Sequence, residues 1–333
     1  MKNVSEAVGN TPLLRLNKLS NLSGCEIYAK LEHLNPGGSI KDRAALGMIE
    51  AAEKEGKLKP GYSLVEGTAG NTGIGLATLA ASRGYHCVIV MPNNQAQEKY
   101  DTLRALGVEL ITVDPCPFAN EKHFYHTAKR VALERENSFW VNQFENLNNF
   151  QKHYETTGPE IWQQTQGRVD GFVAAVGTGG TLAGVSCYLK EKNPQIKIRL
   201  ADPMGSGLFS YVKTGQLKSE GSSFTEGIGI MRLTENFKKA RVDDAVQVND
   251  QQMLSMLNFL AKEEGLLVGT SAALNVFASY QWALENNGQK LVIVTIICDS
   301  ALRYQSKIFN SEFLKSKGLN PELSVASLTV HAK

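Results

Sequence analysis

A lysine placed just inside a helix is the first candidate for chemistry in this chain. In Asn35-Pro36-Gly37-Gly38-Ser39-Ile40-Lys41-Asp42-Arg43 a Pro-Gly-Gly turn runs into Ser39, a good helix N-cap. Lys41 then falls in the first turn of an apolar helix over about residues 40–55. The positive end of a helix dipole disfavours an ammonium group. A lysine placed there is a candidate nucleophile suited to forming a Schiff base with a carbonyl. Taken alone, the commoner role is a solvated helix end, so the partners of Lys41 have to decide.

Two glycine-rich turns supply such partners. Gly177-Thr178-Gly179-Gly180-Thr181 follows the apolar run Gly171-Phe172-Val173-Ala174-Ala175-Val176 and precedes a helix. Glycines admit a ligand close to the backbone, and the helix start adds free N–H groups and positive potential, which favours a phosphate. Thr178 and Thr181 offer further donors. The turn lacks the Gly-Lys-Ser/Thr ending of Walker A, and Leu182 occupies the last glycine position of Gly-x-Gly-x-x-Gly. A single-phosphate cradle is the reading that remains. The second turn, Gly67-Thr68-Ala69-Gly70-Asn71-Thr72-Gly73, also joins a strand to a helix. There Thr68, Asn71 and Thr72 suit a small carboxylate at a sheet edge, or Asn71 alone suits a ring hydroxyl. Ser271 opens a third helix, where an N-cap role is the default. Asp299, after the last apolar run, competes with Ser271 for a place beside a heterocyclic nitrogen. Nucleophilic lysine, phosphate cradle and polar loops together are what a pyridoxal phosphate enzyme needs.

Strands alternating with helices must position these groups. The expected strands are 13–16, 26–31, 62–66, 87–91, 109–113, 139–141, 171–176, 196–201 and 291–297. Helices are expected at 74–82, 95–106, 120–135, 157–166, 182–192, 250–264 (capped by Asp250) and 271–285. Residues 203–248 read as an irregular excursion or lid, and the chain beyond Ser306 as a polar tail. The pattern is α/β with two open, twisted, mainly parallel sheets, one near 45–145 and one from about 150 onward.

Composition narrows the class. A net charge of +2, spread along 333 residues, offers no patch for nucleic acid or an anionic membrane. No apolar run approaches a bilayer span, and the N-terminus lacks the apolar core of a signal peptide. Five cysteines without short spacing oppose a disulfide framework and a zinc site, and the histidines form no His-x-x-x-His pair. A cytoplasmic protein without a metal is expected.

The chain resembles the cysteine synthase (O-acetylserine sulfhydrylase) and cystathionine β-synthase family of fold type II pyridoxal phosphate enzymes. The resemblance runs from Val8 to about Lys317. It rests on Gly9-Asn10-Thr11-Pro12-Leu13, the Lys41 segment, residues 68–73, Met91-Pro92, Gln143-Phe144 and Thr156-Thr157-Gly158-Pro159-Glu160-Ile161-Trp162. Residues 177–181, Glu226-Gly227-Ile228-Gly229 and Arg303-Tyr304 complete it. It implies a tryptophan synthase β-subunit-like fold with a smaller mobile unit, 39–148, that carries the Asn71 loop. Residues 1–38 with 149–318 form the larger unit, and 319–333 a tail. It also implies roles. Lys41 carries the cofactor and moves the α-proton, Asn71 bonds the ring hydroxyl, Gly177, Thr178, Gly179, Gly180 and Thr181 hold the phosphate, and Ser271 faces the pyridine nitrogen. Thr68, Ala69, Gly70, Thr72 and Gln143 bind the amino-acid carboxylate.

The activity implied is formation of L-cysteine from O-acetyl-L-serine and sulfide through an aminoacrylate. The alternatives are condensation of serine with homocysteine, or another β-replacement or elimination on a serine derivative. A homodimer, and a complex with serine acetyltransferase, are the implied partners. Departures from the family bear on the acceptor. Ala69 stands where cysteine synthases usually carry serine, the 93–99 loop differs, no glycine follows Ser271 closely, and 226–229 looks more like cystathionine β-synthase. A nicotinamide-dependent oxidoreductase would share the layout, but the dinucleotide pattern fails and Lys41 would have no role.

Overall fold

The computed structural model describes residues 1–325. Its strands are β1 (Leu13–Arg15), β2 (Glu26–Leu31), β3 (Ser63–Gly67), β4 (His86–Pro92), β5 (Glu109–Val113), β6 (Ser138–Trp140), β7 (Gly171–Ala175), β8 (Lys197–Pro203), β9 (Asp244–Val248) and β10 (Val292–Ile297). They form two sheets, ordered β5-β4-β3-β6 and β1-β2-β10-β7-β8-β9. All pairings are parallel except β1 with β2. The α/β architecture is therefore the one that alternating strands and helices imply. The N-terminal segment joins the six-stranded sheet because Glu26–Leu31 pairs in register with Val292–Ile297.

Each sheet is covered on both faces, as parallel sheets require. On the larger one, Met253, Leu257, Phe277 and Ile293 pack on one face and Phe172, Val185, Ile198 and Val294 on the other. On the smaller one, Ile49, Leu76, Ile89 and Leu103 make the main layer, while Val65, Val88, Val90 and Ala128 fill the opposite face. Burying each such side chain contributes about 1.5–3 kcal/mol.

Several local expectations fail for identifiable reasons. The helix spans Lys41–Lys54 with Ile40 before it, and Ser39 caps its start by accepting from Lys41 N at 3.2 Å while its backbone also forms an antiparallel bridge with Asp299. The second glycine-rich turn is shorter than its composition suggests, because the helix Asn71–Arg83 starts at Asn71 itself. Asn249, not Asp250, caps the helix Asp250–Glu263, in a capping box with Gln252. Asp250 instead accepts from Ser223 Oγ at 2.5 Å and Phe224 N at 3.1 Å.

The 203–248 segment is not wholly irregular. It contains a helix, Leu208–Thr214, and β9, an edge strand buried only at Ala245 and Val248 and so too short of apolar residues to stand out. Beyond Ser306 the chain forms a helix, Ser311–Ser316, anchored by buried Leu314. Residues 326–333 of the expected tail lie outside the described residues.

Candidate active site

A cavity of about 210 Å³ opens between the two sheets. Its walls come from the carboxyl ends of strands: 68–72 after β3, 143–144 after β6, 174–175, 177–179 and Thr181 at and after β7, and Ile296 and Cys298 at β10. This is where open α/β sheets bind ligands. Lys41, Asn71, Gly177, Thr178, Gly179, Thr181, Ser271, Thr68, Ala69, Gly70, Thr72 and Gln143 all line it. Gly180 does not. A Cβ there would stand 2.0 Å from Asn149 Oδ1, so Gly180 serves close packing behind the turn.

Lys41 is placed by main-chain pairing. Ile40 N donates to Cys298 O at 2.9 Å, which docks the start of the helix against the end of β10. The 177–181 turn is placed by packing. A Cβ on Gly177 would lie 2.2 Å from Gly227 O, and one on Gly179, whose φ is +91°, would lie 2.6 Å from Phe237 N. The helix that follows, Gly180–Lys192, carries no side-chain cap, and its entry bond is Ala183 N to Gly179 O at 2.9 Å. Gly180 N reaches Thr178 Oγ1 only at a long 3.4 Å, so the first-turn donors before Ala183 are weakly engaged and suit a ligand. Asn149 Nδ2 braces the turn by donating to Thr178 Oγ1 at 2.9 Å and to Gln143 O at 3.0 Å. Thr181 Oγ1 meets His153 Nε2 at 3.2 Å. Burial, then the charges of Arg43 and Lys41, hold His153 well below the ordinary imidazole pKa, so it stays neutral.

The opposite wall is a hydrogen-bonded set. Thr72 Oγ1 donates to Gln143 Oε1 at 2.5 Å, and Gln143 Nε2 donates to Gly67 O at 3.0 Å. Glu66, wholly buried behind them, accepts from Gln143 N at 3.2 Å, and burial pushes its carboxyl up to about 8. Gly70 has φ +128° and sits against Lys99, whose Cδ would be 2.6 Å from an added Cβ. Lys99 is buried, lies 4.4 Å over the Tyr304 ring and pairs with Glu226 at 2.6 Å; Lys307 pairs with the same carboxylate at 2.5 Å. Burial raises the Glu226 pKa, but the two lysines outweigh it and hold the group below its ordinary value.

Ser271 lies on the cavity wall in the first turn of the helix Thr270–Glu285; Asp299 does not reach the cavity. Asp299 accepts from Asn71 Nδ2 at 2.6 Å and from the Tyr304 hydroxyl at 2.5 Å. Sequence reasoning missed Asn149, His153, Lys99 and Cys298, none of which stands in a glycine- or hydroxyl-rich turn. The one available signal was the altered loop leading to Lys99.

A family model described as "Pyridoxal-phosphate dependent enzyme" matches residues 4–299. The chain belongs to that family. It is 49% identical to a cysteine synthase 1 of Neurospora crassa over 96% of this chain and 86% of that protein. Among solved structures, a hydrogen sulfide-producing enzyme from Fusobacterium nucleatum superposes with a TM-score of 0.85 at 36% identity, covering 91% of this chain and 99% of the other. An O-acetylserine dependent cystathionine β-synthase from Helicobacter pylori gives 0.83 at 34% identity, covering 92% and 98%.

Pyridoxal phosphate is the cofactor of this family, and the cavity fits it. The uncapped end of the Gly180 helix suits the phosphate, Lys41 suits the carbonyl, and Ser271 offers a neutral hydroxyl to the ring. No cluster of three His, Cys, Asp or Glu residues that could hold a metal ion occurs among the described residues. Among the same residues, no helix is long and apolar enough to cross a membrane.

Proposed function

We propose that this chain makes L-cysteine from O-acetyl-L-serine and sulfide by β-replacement, a transferase reaction. One observation carries the reading: Lys41, the uncapped Gly180 helix end and the Thr72–Gln143 pair face a single cavity in a chain 49% identical to a cysteine synthase. Bound there, pyridoxal phosphate supplies the electron sink that lets the Cα–H bond break and the β-substituent leave.

The residues do the rest. The N–H groups and hydroxyls of residues 177–181 hold the phosphate, and Asn71 bonds the ring oxygen. Ser271 faces the ring nitrogen, where a neutral hydroxyl, unlike a carboxylate, does not enforce protonation. Thr68, Ala69, Gly70, Thr72 and Gln143 bind the substrate carboxylate. Lys41 Nζ takes the α-proton and returns it to Cα after sulfide has replaced acetate at Cβ. Capture of the carboxylate draws the smaller unit, residues 39–148, onto the larger and excludes water. The Lys99–Glu226 contact, which joins the two sheets' loops, supports that closure.

We propose further that the chain works as a homodimer in the cytosol, where its five free cysteines stay reduced. Serine acetyltransferase is the candidate protein partner, reaching the amino-acid site. A second reading keeps the same first half-reaction and gives homocysteine as the acceptor. The segment 226–230 that lines the cavity, together with the fit to the H. pylori enzyme, favours it.

Borohydride reduction followed by peptide mapping tests the site, with label expected on Lys41 and the reading defeated by label elsewhere. Mixing the enzyme with O-acetylserine, serine or O-phosphoserine, then with sulfide or homocysteine, tests the substrates. An intermediate discharged only by homocysteine, whichever amino acid forms it, would overturn cysteine synthesis.

A further inference from the structure

The turn after β10 settles which way the Asn71 amide faces. Asn71 Nδ2 donates to Asp299 Oδ2 at 2.6 Å, and Arg303 Nη1 donates to Asn71 Oδ1 at 2.6 Å. A carboxylate only accepts and a guanidinium only donates. The amide is thereby restricted to one of its two flips, which elsewhere has to be assigned from neutral neighbours. One of its N–H groups is committed to Asp299, and its oxygen is committed to a cation. The group left for the cavity is the second N–H.

The clamp itself is rigidly held. Asp299 is wholly buried, takes the Tyr304 hydroxyl on the same oxygen at 2.5 Å and bridges to Ser39. Gly269 leaves the carboxylate no slack, since a Cβ there would stand 2.0 Å from Asp299 Oδ1. Arg303 Nη2 also donates to Gly37 O, and a Cβ on Gly38 would lie 2.8 Å from that nitrogen. One guanidinium thus spans the turn before Lys41 and the Asn71 amide, setting the lysine and the amide in register.

We infer that Asp299 and Arg303 are positioning residues that lock Asn71 as a hydrogen-bond donor toward the ring oxygen of the cofactor. This rests on the reading of the cavity as the pyridoxal phosphate site. A donor at that oxygen favours its anionic form, and the absorption band of the bound cofactor reports that ionisation directly. Asp299→Asn replaces a group that only accepts by an amide that can present either a donor or an acceptor to Asn71, so the amide that aims its second N–H at the cavity loses its fixed partner on the first, while Arg303 still meets Oδ1.

The experiment compares the absorption maximum and its pH titration in the wild type, Asp299→Asn, Asn71→Ala and the double variant, each purified with pyridoxal phosphate bound. Each single variant is expected to shift the band in the same direction. Each is also expected to lower kcat by about tenfold, the worth of one hydrogen bond, with KM for O-acetylserine nearly unchanged. The double variant should look like Asn71→Ala, because Asp299 acts through Asn71. A wild-type band in Asp299→Asn, or fully additive effects, would overturn the inference. Should Asp299→Asn fail to fold, the Arg303 pair decides: Arg303→Lys keeps a donor for Asn71 Oδ1 and the wild-type band, and Arg303→Met shifts it. An unshifted band in Arg303→Met also overturns the inference. A wild type that binds no pyridoxal phosphate defeats the proposed function itself, a result distinct from either.

Discussion

The two glycine-rich turns that face each other across the cavity are built in opposite ways. Behind 177–181 stand groups with little freedom: Gly227 O, Phe237 N and the Asn149 amide, each within 2.6 Å of where a Cβ would sit. The 67–73 turn makes its links to the larger sheet through side chains. Asn71 is locked by Asp299 and Arg303, but the Lys99 stem behind Gly70 ends on Glu226. Packed backbone cannot retreat without disturbing its neighbours, whereas the Lys99–Glu226 ion pair can part and re-form. A phosphate site that must keep its cofactor through every turnover is served by the first construction. A carboxylate site that must admit substrate and release product is served by the second.

Breaking the rigid side should cost most. Gly177→Ala drives a Cβ into the Gly227 carbonyl and should weaken pyridoxal phosphate binding by about 100-fold, near 3 kcal/mol of overpacking. Titration of the apoprotein by cofactor absorbance checks this, and an unchanged affinity would remove the contrast.

The next effect concerns the acid behind the carboxylate loop. Glu66 is pushed up to about 8 from an ordinary 4.5, so the folded state keeps a proton that the unfolded chain loses. That contribution is complete below about pH 4.5 and fades as pH rises through about 8. Glu66→Gln should therefore flatten the fall in Tm across that window, retaining about 2 kcal/mol or more at pH 8 relative to the wild type's own loss. Equal pH slopes in the two proteins would show that Glu66 ionises freely.

A smaller change is expected when the flexible side loses its clasp. Glu226→Gln leaves Lys99 and Lys307 without a carboxylate. It should raise KM for O-acetylserine by about tenfold while cofactor affinity holds, because the ion pair acts on closure and not on the phosphate. Stopped-flow and cofactor titration separate the two; loss of cofactor affinity instead would put Glu226 on the rigid side. The smallest expected effect sharpens the comparison by addition. Ala69→Ser restores one hydroxyl to the carboxylate loop and should lower KM a few-fold, about 0.5–1 kcal/mol, without moving the cofactor spectrum.

Much of the site could be read locally. Lys41, residues 67–73 and residues 177–181 announce themselves because helix starts and tight turns are encoded by residues adjacent in the chain, through glycine freedom and hydroxyl donors. The alternation of apolar runs likewise determined the α/β class and most strands, since period and length are local properties. What failed was nonlocal. The bridge from Ser39 to Asp299 carried no local signal, and β9 was hidden because an edge strand needs its partner to bury it. Asp299 looked like a rival to Ser271, and only the folded chain turns it onto Asn71, 228 residues away in sequence.

Composition and order thus determined most of the elements and marked Lys41 and the 177–181 turn as the candidates for a nucleophile and a phosphate cradle. The tertiary structure alone decided that Gly180 faces inward, that Lys99 is buried on Glu226 and that one arginine ties Lys41's turn to Asn71. Such pairings depend on which surfaces meet when the two sheets pack, and no local spacing carries that information.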